Sequence, residues 1–286
     1  MLFVPGMEVV TESVLAKLNQ LRRRGVIIVG DEFTVPALMV DYRIQSVNRN
    51  TYDPAGTKRE LQKLGKMLAA LLDKYCPRPA IASNADLVVR QRGTDAADYL
   101  FVVNDKRTFG EYVGQWKMVQ EKGLPNSGTI SLRHPAVAAY DLTAHKALAL
   151  KKQNNGCSFD VSLAPGDGKL VLLLDREISN ISLQLPQFVE QRAGYTVKCR
   201  ITDRNGVAIP AYIPVEIKMV AANGIQLPGS GFYAAVNGEL TVNEVMASNA
   251  PAGVVHVTAR CLASNKTASG TFNVVKGVNN KKFTDK

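Results

Sequence analysis

The sequence is short of the residues and patterns that mark several common classes of protein. Of its 286 residues, only four are cysteine, three are histidine and one is tryptophan. The cysteines include no C-x-x-C pair and the histidines show no H-E-x-x-H spacing, which excludes zinc-knuckle, thioredoxin-type and zinc-protease motifs. So few cysteines in a chain of this length also exclude a disulfide-dense miniprotein.

Long apolar runs are lacking too. The longest, at residues 26–29 and 170–174, are far shorter than the roughly 18 residues that a membrane span requires. The first residues, Met1-Leu2-Phe3-Val4-Pro5, lack the basic region and the apolar core of a signal peptide. We therefore expect no membrane span and no signal peptide within this chain.

The positive charge is spread thinly along the chain. Lysine and arginine number 35 against 25 aspartates and glutamates, which gives a net charge of +10. The excess is +4 in residues 1–80, +2 in 81–176, +1 in 177–275 and +3 in 276–286. A nucleic-acid-binding domain gathers its charge on one face, often with stacking aromatic residues. We therefore predict no nucleic-acid partner, and we interpret residues 276–286 as a flexible basic tail.

Residues 1–80 have the pattern of an α/β segment. Two short apolar runs, the second at residues 26–29, are typical of strands buried in a parallel sheet. Thr11 can cap the amphipathic helix between them, and a capping box that starts at Thr57 predicts a second helix. Two strands are too few for a doubly wound sheet. We therefore interpret this segment as a partial flavodoxin-like domain and expect Met1 to be an internal residue of a longer protein.

The rest of the chain changes to a β pattern. Residues 84–176 contain short predicted strands, one of them at residues 147–151, separated by turn signals such as Asn154-Asn-Gly156, as in a β-sandwich. Residues 177–275 contain seven predicted strands and an Asn205-Gly206 hairpin signal, which is typical of an immunoglobulin-like sandwich. The predicted fold class is therefore multidomain, a partial α/β segment followed by two β-sandwiches, the last of them immunoglobulin-like.

Two cysteines occupy equivalent positions in predicted strands of the last domain. Cys199 and Cys261 each continue an alternating apolar pattern, which turns both side chains inward. A disulfide between them would join the two sheets of a sandwich. The alternative is a pair of buried free thiols. The tryptophan that usually packs on such a bridge is missing, because Trp116 lies outside this region.

Two glycine-rich segments match nucleotide-binding motifs only in part. Gly229-Ser-Gly231-Phe-Tyr-Ala234 fits G-x-G-x-x-A, but a strand does not precede it and a helix does not follow. Gly166-Asp-Gly168-Lys169 lacks the first glycine and the final Ser or Thr of a phosphate loop. The three histidines are scattered. We therefore predict no cofactor, no metal site and no catalytic residue in this chain.

An aromatic-rich segment is the candidate binding site. Phe109, Tyr112 and Trp116 lie within eight residues of one another, in a predicted loop after a strand. Exposed aromatic rings could stack on sugar rings, which would make these three residues a carbohydrate-binding site. The alternative is that they pack against the end of the sandwich or against a neighbouring domain.

Three parts of the sequence resemble known families. The first consists of Tyr99-Leu-Phe-Val-Val-Asn104, Tyr140-Asp141-Leu142 and residues 159–173. It resembles the C-terminal β-domain of many glycosidases. The second, residues 2–31, is similar to the closing part of the amidotransferase-like domain in β-galactosidases of the glycoside hydrolase family 42 type. The third, residues 197–210 and 214–217, resembles the immunoglobulin-like domains of invasins and macroglobulins.

The resemblance implies a non-catalytic region of a bacterial glycoside-hydrolase-like protein. The amidotransferase-like domain of such enzymes serves in assembly, and the catalytic barrel with its paired glutamates has no counterpart in this sequence. No catalytic residue can therefore be carried over. We expect a C-terminal scaffold of a longer, exported or cell-surface protein, with the missing N-terminal catalytic domain, a polysaccharide or further copies of itself as partners. The alternative is a stand-alone carbohydrate-binding or adhesion module of a surface protein.

Overall fold

The structure, a computed structural model, describes residues 1–4, 6–48, 52–94, 97–113 and 118–277. These residues form two helices and 22 strands, so the chain is mainly β. They divide into two compact units. The α/β unit consists of residues 1–78 and 107–124, and the two-sandwich unit consists of residues 79–106 and the described residues from 125 onwards.

The α/β unit is built on a small parallel sheet in the strand order β1-β2-β3. Helix α1 connects β1 to β2, and a two-stranded antiparallel hairpin, β7–β8, follows much later in the chain. The small core contains Val4, Leu18, Ile28 and Leu38. The elements are β1 (Leu2–Val4), α1 (Glu12–Arg23), β2 (Ile28–Asp31), β3 (Tyr42–Ile44), α2 (Pro54–Leu72), β7 (Arg107–Val113) and β8 (Met118–Gly123).

Both helices of this unit were predicted from the sequence, but the second begins earlier than predicted. Thr11 caps α1 as predicted, because its Oγ1 accepts a hydrogen bond from the Val14 amide at 3.4 Å. Helix α2 begins before the predicted capping box, because Asp53 Oδ1 accepts from the Gly56 amide at 2.7 Å and a proline is favourable at the first helical position.

The sheet has one strand more than the sequence indicated. The third strand, β3, is only three residues long and alternates rather than forming a continuous apolar run, so its pattern is easily missed. A flavodoxin-like identity for residues 1–80 stays a prediction, since the observed sheet has three strands and a single strand–helix–strand connection.

The first sandwich packs a five-stranded sheet against a four-stranded sheet. The strand orders are β11-β10-β14-β6-β5 and β12-β13-β9-β4, and the core between them includes Leu100, Ile130 and Phe159. The strands are β4 (Ala80–Ala82), β5 (Leu87–Thr94), β6 (Ala97–Asn104), β9 (Asn126–Leu132), β10 (Ala138–Asp141), β11 (Lys146–Leu148), β12 (Lys151–Gln153), β13 (Gly156–Leu163) and β14 (Gly168–Leu174).

Two features of this sandwich differ from the sequence-based expectation. The single strand predicted at residues 147–151 is instead two short strands, β11 and β12, which belong to opposite sheets. The predicted loop after β6 contains the β7–β8 hairpin, which belongs to the α/β unit, where β7 contacts α2.

The second sandwich contains the seven predicted strands and one more. Its sheets have the orders β15-β17-β20 and β16-β22-β21-β18-β19, an arrangement typical of immunoglobulin-like domains. Val197, Val215, Val257 and Phe272 are among the residues that fill the space between the sheets. The strands are β15 (Asn180–Gln184), β16 (Phe188–Glu190), β17 (Gly194–Thr202), β18 (Ile213–Ala221), β19 (Gly231–Ala235), β20 (Glu239–Val245), β21 (Gly253–Cys261) and β22 (Thr267–Val275).

The Asn205-Gly206 signal marks a short antiparallel turn. Gly206 has the positive φ of +76° that favours glycine there, and Asp203 Oδ1 accepts from the amides of Asn205 and Val207 at 2.8 and 3.0 Å. Thr202 and Ala208 form an antiparallel bridge across the turn, as the signal predicts. The pairing ends there, because the longer strands on either side, β17 and β18, belong to different sheets.

Candidate functional site

The outer face of β14 joins the two sandwiches. Val171 and Leu173 point into the first sandwich, while Leu172 and Leu174 point to the other side and lie in the core of the second sandwich. Leu172 is completely buried. Only five residues separate β14 from β15, and one of them, Ile178, is itself fully buried in that core. The two sandwiches therefore share apolar packing and have a short connection. We call this contact the joint.

Tyr140 places a buried polar group in the joint. It lies on β10, is only 2% exposed, and its Oη accepts a hydrogen bond from the Ile178 amide at 2.8 Å. Burial raises the pKa of Tyr140 to about 12. Because the Ile178 amide has no strand neighbour to bond, the tyrosine hydroxyl supplies the acceptor that a buried N–H requires.

Tyr99 fastens a second point of the joint. Its Oη donates to the carbonyl oxygen of Tyr212 at 2.7 Å and accepts from the amide of the same residue at 2.9 Å. Burial raises the pKa of Tyr99, so the phenol stays protonated and able to donate. This pair of bonds links β6 of the first sandwich to the segment that enters β18 of the second.

His145 makes the third contact, from the turn between β10 and β11. Its Nδ1 lies 2.9 Å from the carbonyl oxygen of Leu262, and because a carbonyl only accepts, Nδ1 carries the hydrogen. The residue has a positive φ of +53°, an unusual conformation for a side chain with a Cβ. The turn must therefore be held firmly by its neighbours.

Asp141 holds that turn. Its Oδ1 accepts from the amides of Thr143 and Ala144, both at 3.0 Å, and its Oδ2 lies 2.5 Å from Lys169 Nζ. Burial by itself would raise the pKa of this carboxyl group, but the hydrogen bonds from Lys169, Thr143 and Ala144 outweigh it and the pKa is lowered. Asp141 is thus a buried carboxylate with its acceptors occupied, and it positions His145.

Two of the three predicted carbohydrate-binding residues, Phe109 and Tyr112, belong to the α/β unit and not to the first sandwich. Phe109 lies on β7 and is half-buried, with the guanidinium carbon of Arg107 5.5 Å from its ring centroid. Tyr112 is also on β7, but its side chain lies outside the described residues, as does the whole of Trp116. A carbohydrate site formed by these three residues stays a proposal.

The two cysteines of the second sandwich lie on its opposite sheets. Cys199 is on β17 and Cys261 ends β21, and both are buried free thiols in the structure. Burial first, and then the neighbouring Cys261, raise the pKa of Cys199 to about 12. A bridge between the two is not formed here and stays a prediction.

Alkylation tests this arrangement. We expect iodoacetamide to label exposed Cys76 readily in the folded chain, and Cys157, Cys199 and Cys261 only after unfolding, because all three are buried away from the reagent. The raised pKa of Cys199 further lowers its thiolate fraction. The measurement is the intact mass after labelling without reductant, with and without urea. Four labels in urea support free thiols, and two labels would show that a bridge has formed.

The last residue of β2, Asp31, also has a structural role. It lies where a parallel strand ends, which is a common place for a ligand to bind. Its Oδ2 accepts from the Gly6 amide at 2.7 Å and its Oδ1 from the Phe33 amide at 3.0 Å. Burial tends to raise its pKa, and these bonds lower it overall. Asp31 therefore fastens two loops of the α/β unit.

One cleft of the first sandwich is lined by polar residues that lie far apart in the sequence. It has a volume of about 190 Å³, and Asp98, His134 and Asp175 are among the residues that line it.

In the described part of the chain, no three His, Cys, Asp or Glu side chains lie close enough together to hold a metal ion. Nor does any helix there combine the length and hydrophobicity needed to cross a membrane.

The joint itself was missed in the sequence. In the sequence, Tyr99 and Tyr140 stand out only through the resemblance to glycosidase C-terminal domains, and His145 is one of three scattered histidines. One signal could have indicated the joint. Residues 170–174 are apolar without alternation, and a strand with that pattern is buried on both faces. A sandwich strand covers only one face with its own core, so a second cover was to be expected.

Comparison with known proteins gives no firm relative. No protein-family model matches the chain, and no curated protein matches it. Similar solved structures include the Yersinia pseudotuberculosis adhesin InvE (9% identity, 68% of this chain and 60% of that one, TM-score 0.28). Others are a CARDB domain from Pyrococcus furiosus (14%, 35% and 91%, 0.25) and a β-glucosidase from Listeria innocua (17%, 34% and 16%, 0.23). All these TM-scores are below 0.5, so they support neither a fold assignment nor a function.

Proposed function

We propose that the chain is a non-catalytic scaffold of a carbohydrate-degrading, glycoside-hydrolase-like protein. In this proposal the two sandwiches act as one rigid body that holds the parts attached to it at a fixed distance. The observation that carries it is the joint, where Leu172 and Tyr140 of the first sandwich lie in the core of the second. A flexible pair of modules would have a longer, polar connection and little shared packing.

The polar side chains at the joint support a structural role. Tyr99, Tyr140 and His145 form hydrogen bonds with backbone groups of the other sandwich. Asp141 accepts a hydrogen bond from the backbone of the turn that carries His145. Each group has a hydrogen-bonding partner within the protein, as a structural role requires. A binding or catalytic role would direct such groups toward an open cleft.

The glycosidase side of the proposal rests on the sequence resemblance. It comprises the amidotransferase-like identity of residues 1–80, the glycosidase C-terminal identity of residues 84–176 and the immunoglobulin-like identity of residues 177–275. The same resemblance suggests a longer bacterial protein that is exported or displayed at the cell surface. The partners would be its catalytic domain, further copies of the chain and a polysaccharide.

Rigidity can be measured with spin labels. In the full chain with Cys76→Ser, labels at Ser162→Cys on β13 and Thr271→Cys on β22 report the distance between the sandwiches. Both positions are exposed, whereas the remaining cysteines are buried. We expect a single distance distribution as narrow as that of a control pair within one sandwich, Thr241→Cys and Thr271→Cys. A distribution several times broader than the control would contradict the scaffold proposal.

The proposed absence of catalytic activity is tested by a separate measurement. We expect the full chain to release no product from a panel of aryl glycosides and polysaccharides. Turnover that persists through purification would contradict the proposal.

The second candidate function is carbohydrate binding through Phe109, Tyr112 and Trp116. It is favoured by the half-buried ring of Phe109 on a two-stranded hairpin. Loss of binding on a glycan array after Tyr112→Ala and Trp116→Ala would support it. Unchanged binding by both variants would contradict it.

A further inference from the structure

The exposed face of the sheet β15-β17-β20 has an unusual composition. Strand β17 is in the middle, and its residues alternate strictly between buried and exposed from Gly194 to Arg200. The outward side chains of the three strands are mostly amides, hydroxyls and long cations, and they include one carboxylate, Glu239, which lies opposite Arg200. We call them the β17 face, which is defined by Gln184, Thr196, Lys198, Arg200, Glu239, Thr241 and Asn243.

Strand register brings these side chains side by side. Lys198 is directly opposite Gln184 on one neighbouring strand and Thr241 on the other. Thr196 is opposite Asn243, and its Oγ1 donates to Asn243 Oδ1 at 2.9 Å. Directly opposed residues lie about 5 Å apart, so the face presents donors in closely spaced rows.

Of the two cationic side chains on this face, one has an anionic partner and the other has none among the described residues. Arg200 pairs with Glu239 at 3.3 Å. Within the residues that the structure describes, no hydrogen bond or ion pair engages Lys198 Nζ or the Gln184 amide. One ammonium group and one amide are therefore free to meet a ligand, and the net charge of the face is positive.

A groove runs along these same residues. A cleft of about 370 Å³ is lined by Phe188, Gln184, Thr196 and Lys198. A second cleft, of about 340 Å³, shares Gln184 and Lys198 and continues toward the Arg200–Glu239 pair. Phe188, at one end, is 63% exposed. The groove thus combines an exposed aromatic ring with free polar donors along its length.

We propose that the β17 face binds an acidic oligosaccharide, a chain of sugars that carry carboxylates. Lys198 pairs with a carboxylate, the amides of Gln184 and Asn243 bond to sugar hydroxyls, and the ring of Phe188 contacts the apolar C–H face of a sugar. Arg200 is paired with Glu239, whereas Lys198 has no charged partner among the described residues, and this favours an acidic sugar over a neutral one. This site is distinct from Phe109, Tyr112 and Trp116 and does not depend on the scaffold proposal.

The test compares two ligands of equal length with the full chain. We expect hexagalacturonate to bind at low salt, with an affinity that falls as salt rises, and cellohexaose to bind at least tenfold more weakly. Lys198→Gln should weaken hexagalacturonate binding roughly fivefold, as expected for one exposed ion pair. Phe188→Ala should weaken it by a similar factor. The measurement is isothermal titration calorimetry.

The opposite sheet supplies matched controls. Lys218→Gln removes the same charge, and Phe232→Ala removes an exposed phenylalanine, both from the sheet that contains β18 and β19. We expect neither to change the affinity more than twofold. Equal losses in Lys198→Gln and Lys218→Gln would show binding through net charge alone and would overturn the proposal. Absence of binding, or equal affinity for the two hexamers, would overturn it as well.

Discussion

Leu172→Ala is expected to destabilise both sandwiches by about 2–5 kcal/mol, the usual cost of truncating a fully buried leucine. Leu172 is 0% exposed and belongs to the core of the second sandwich, although it lies on a strand of the first. The cavity would therefore open in the joint. We expect amide hydrogen exchange to show a lower free energy of opening in peptides from both β6 and β21.

Leu170 provides the control for this prediction. It is on the same outer face of the same strand, two residues earlier, but is only half-buried and outside the shared core. Leu170→Ala should cost less than about 1 kcal/mol, because little packing is lost. If Leu172→Ala destabilised the first sandwich alone, or cost no more than Leu170→Ala, the joint would not couple the sandwiches.

Asp141→Asn is expected to cost about 3 kcal/mol of folding free energy. Removing one partner of a buried ion pair leaves the other charge without compensation, here Lys169, whose side chain is 17% exposed. The turn would also lose a strong acceptor for the Thr143 and Ala144 amides. Because that turn carries His145, we expect the loss to appear in the second sandwich too. Urea unfolding followed by hydrogen exchange measures both effects.

An exposed pair of the same length is the control for Asp141. Asp160 Oδ2 and Lys151 Nζ are also 2.5 Å apart, but their side chains are 57% and 64% exposed. Asp160→Asn should cost no more than about 1 kcal/mol, because exposed ion pairs contribute little. Equal costs at the two sites would contradict the role assigned to burial.

The pH dependence of the Asp141 effect has a definite sign. Its pKa is lowered in the folded chain, so the carboxylate stabilises the fold above the unfolded-state pKa of about 4. That contribution is lost as the pH falls through the lowered folded-state pKa. We therefore expect the difference between the wild type and Asp141→Asn to shrink as the pH drops below 4. A difference that grew on acidification would contradict the assignment.

Periodicity predicted most elements of the two sandwiches. The seven strands expected in residues 177–275 are present, and the alternation in β17 places Val197 and Cys199 in the core as anticipated. Such strands are readable because one face meets the core and the other meets water. The same reasoning explains why α1 and its Thr11 cap were predicted correctly.

Non-local pairing was the part that the sequence could not show. The Asn205-Gly206 turn has strong local chemistry, but its flanking strands join different sheets, since the packing of whole sheets decides the pairing. Residues 147–151 form no single strand because the chain crosses from one sheet to the other there. Likewise, the bonds of Tyr99 and Tyr140 span 113 and 38 residues, and no local pattern specifies a partner so distant.

The central claim, that the two sandwiches form one body, is tested most directly by hydrogen exchange of the unmodified full chain. The slowest amides of β6 and β14 in the first sandwich and of β17 and β21 in the second are compared at increasing urea concentration. A shared core predicts the same opening free energy and the same dependence on urea for all four strands. Two distinct opening free energies, one for each sandwich, would contradict the account.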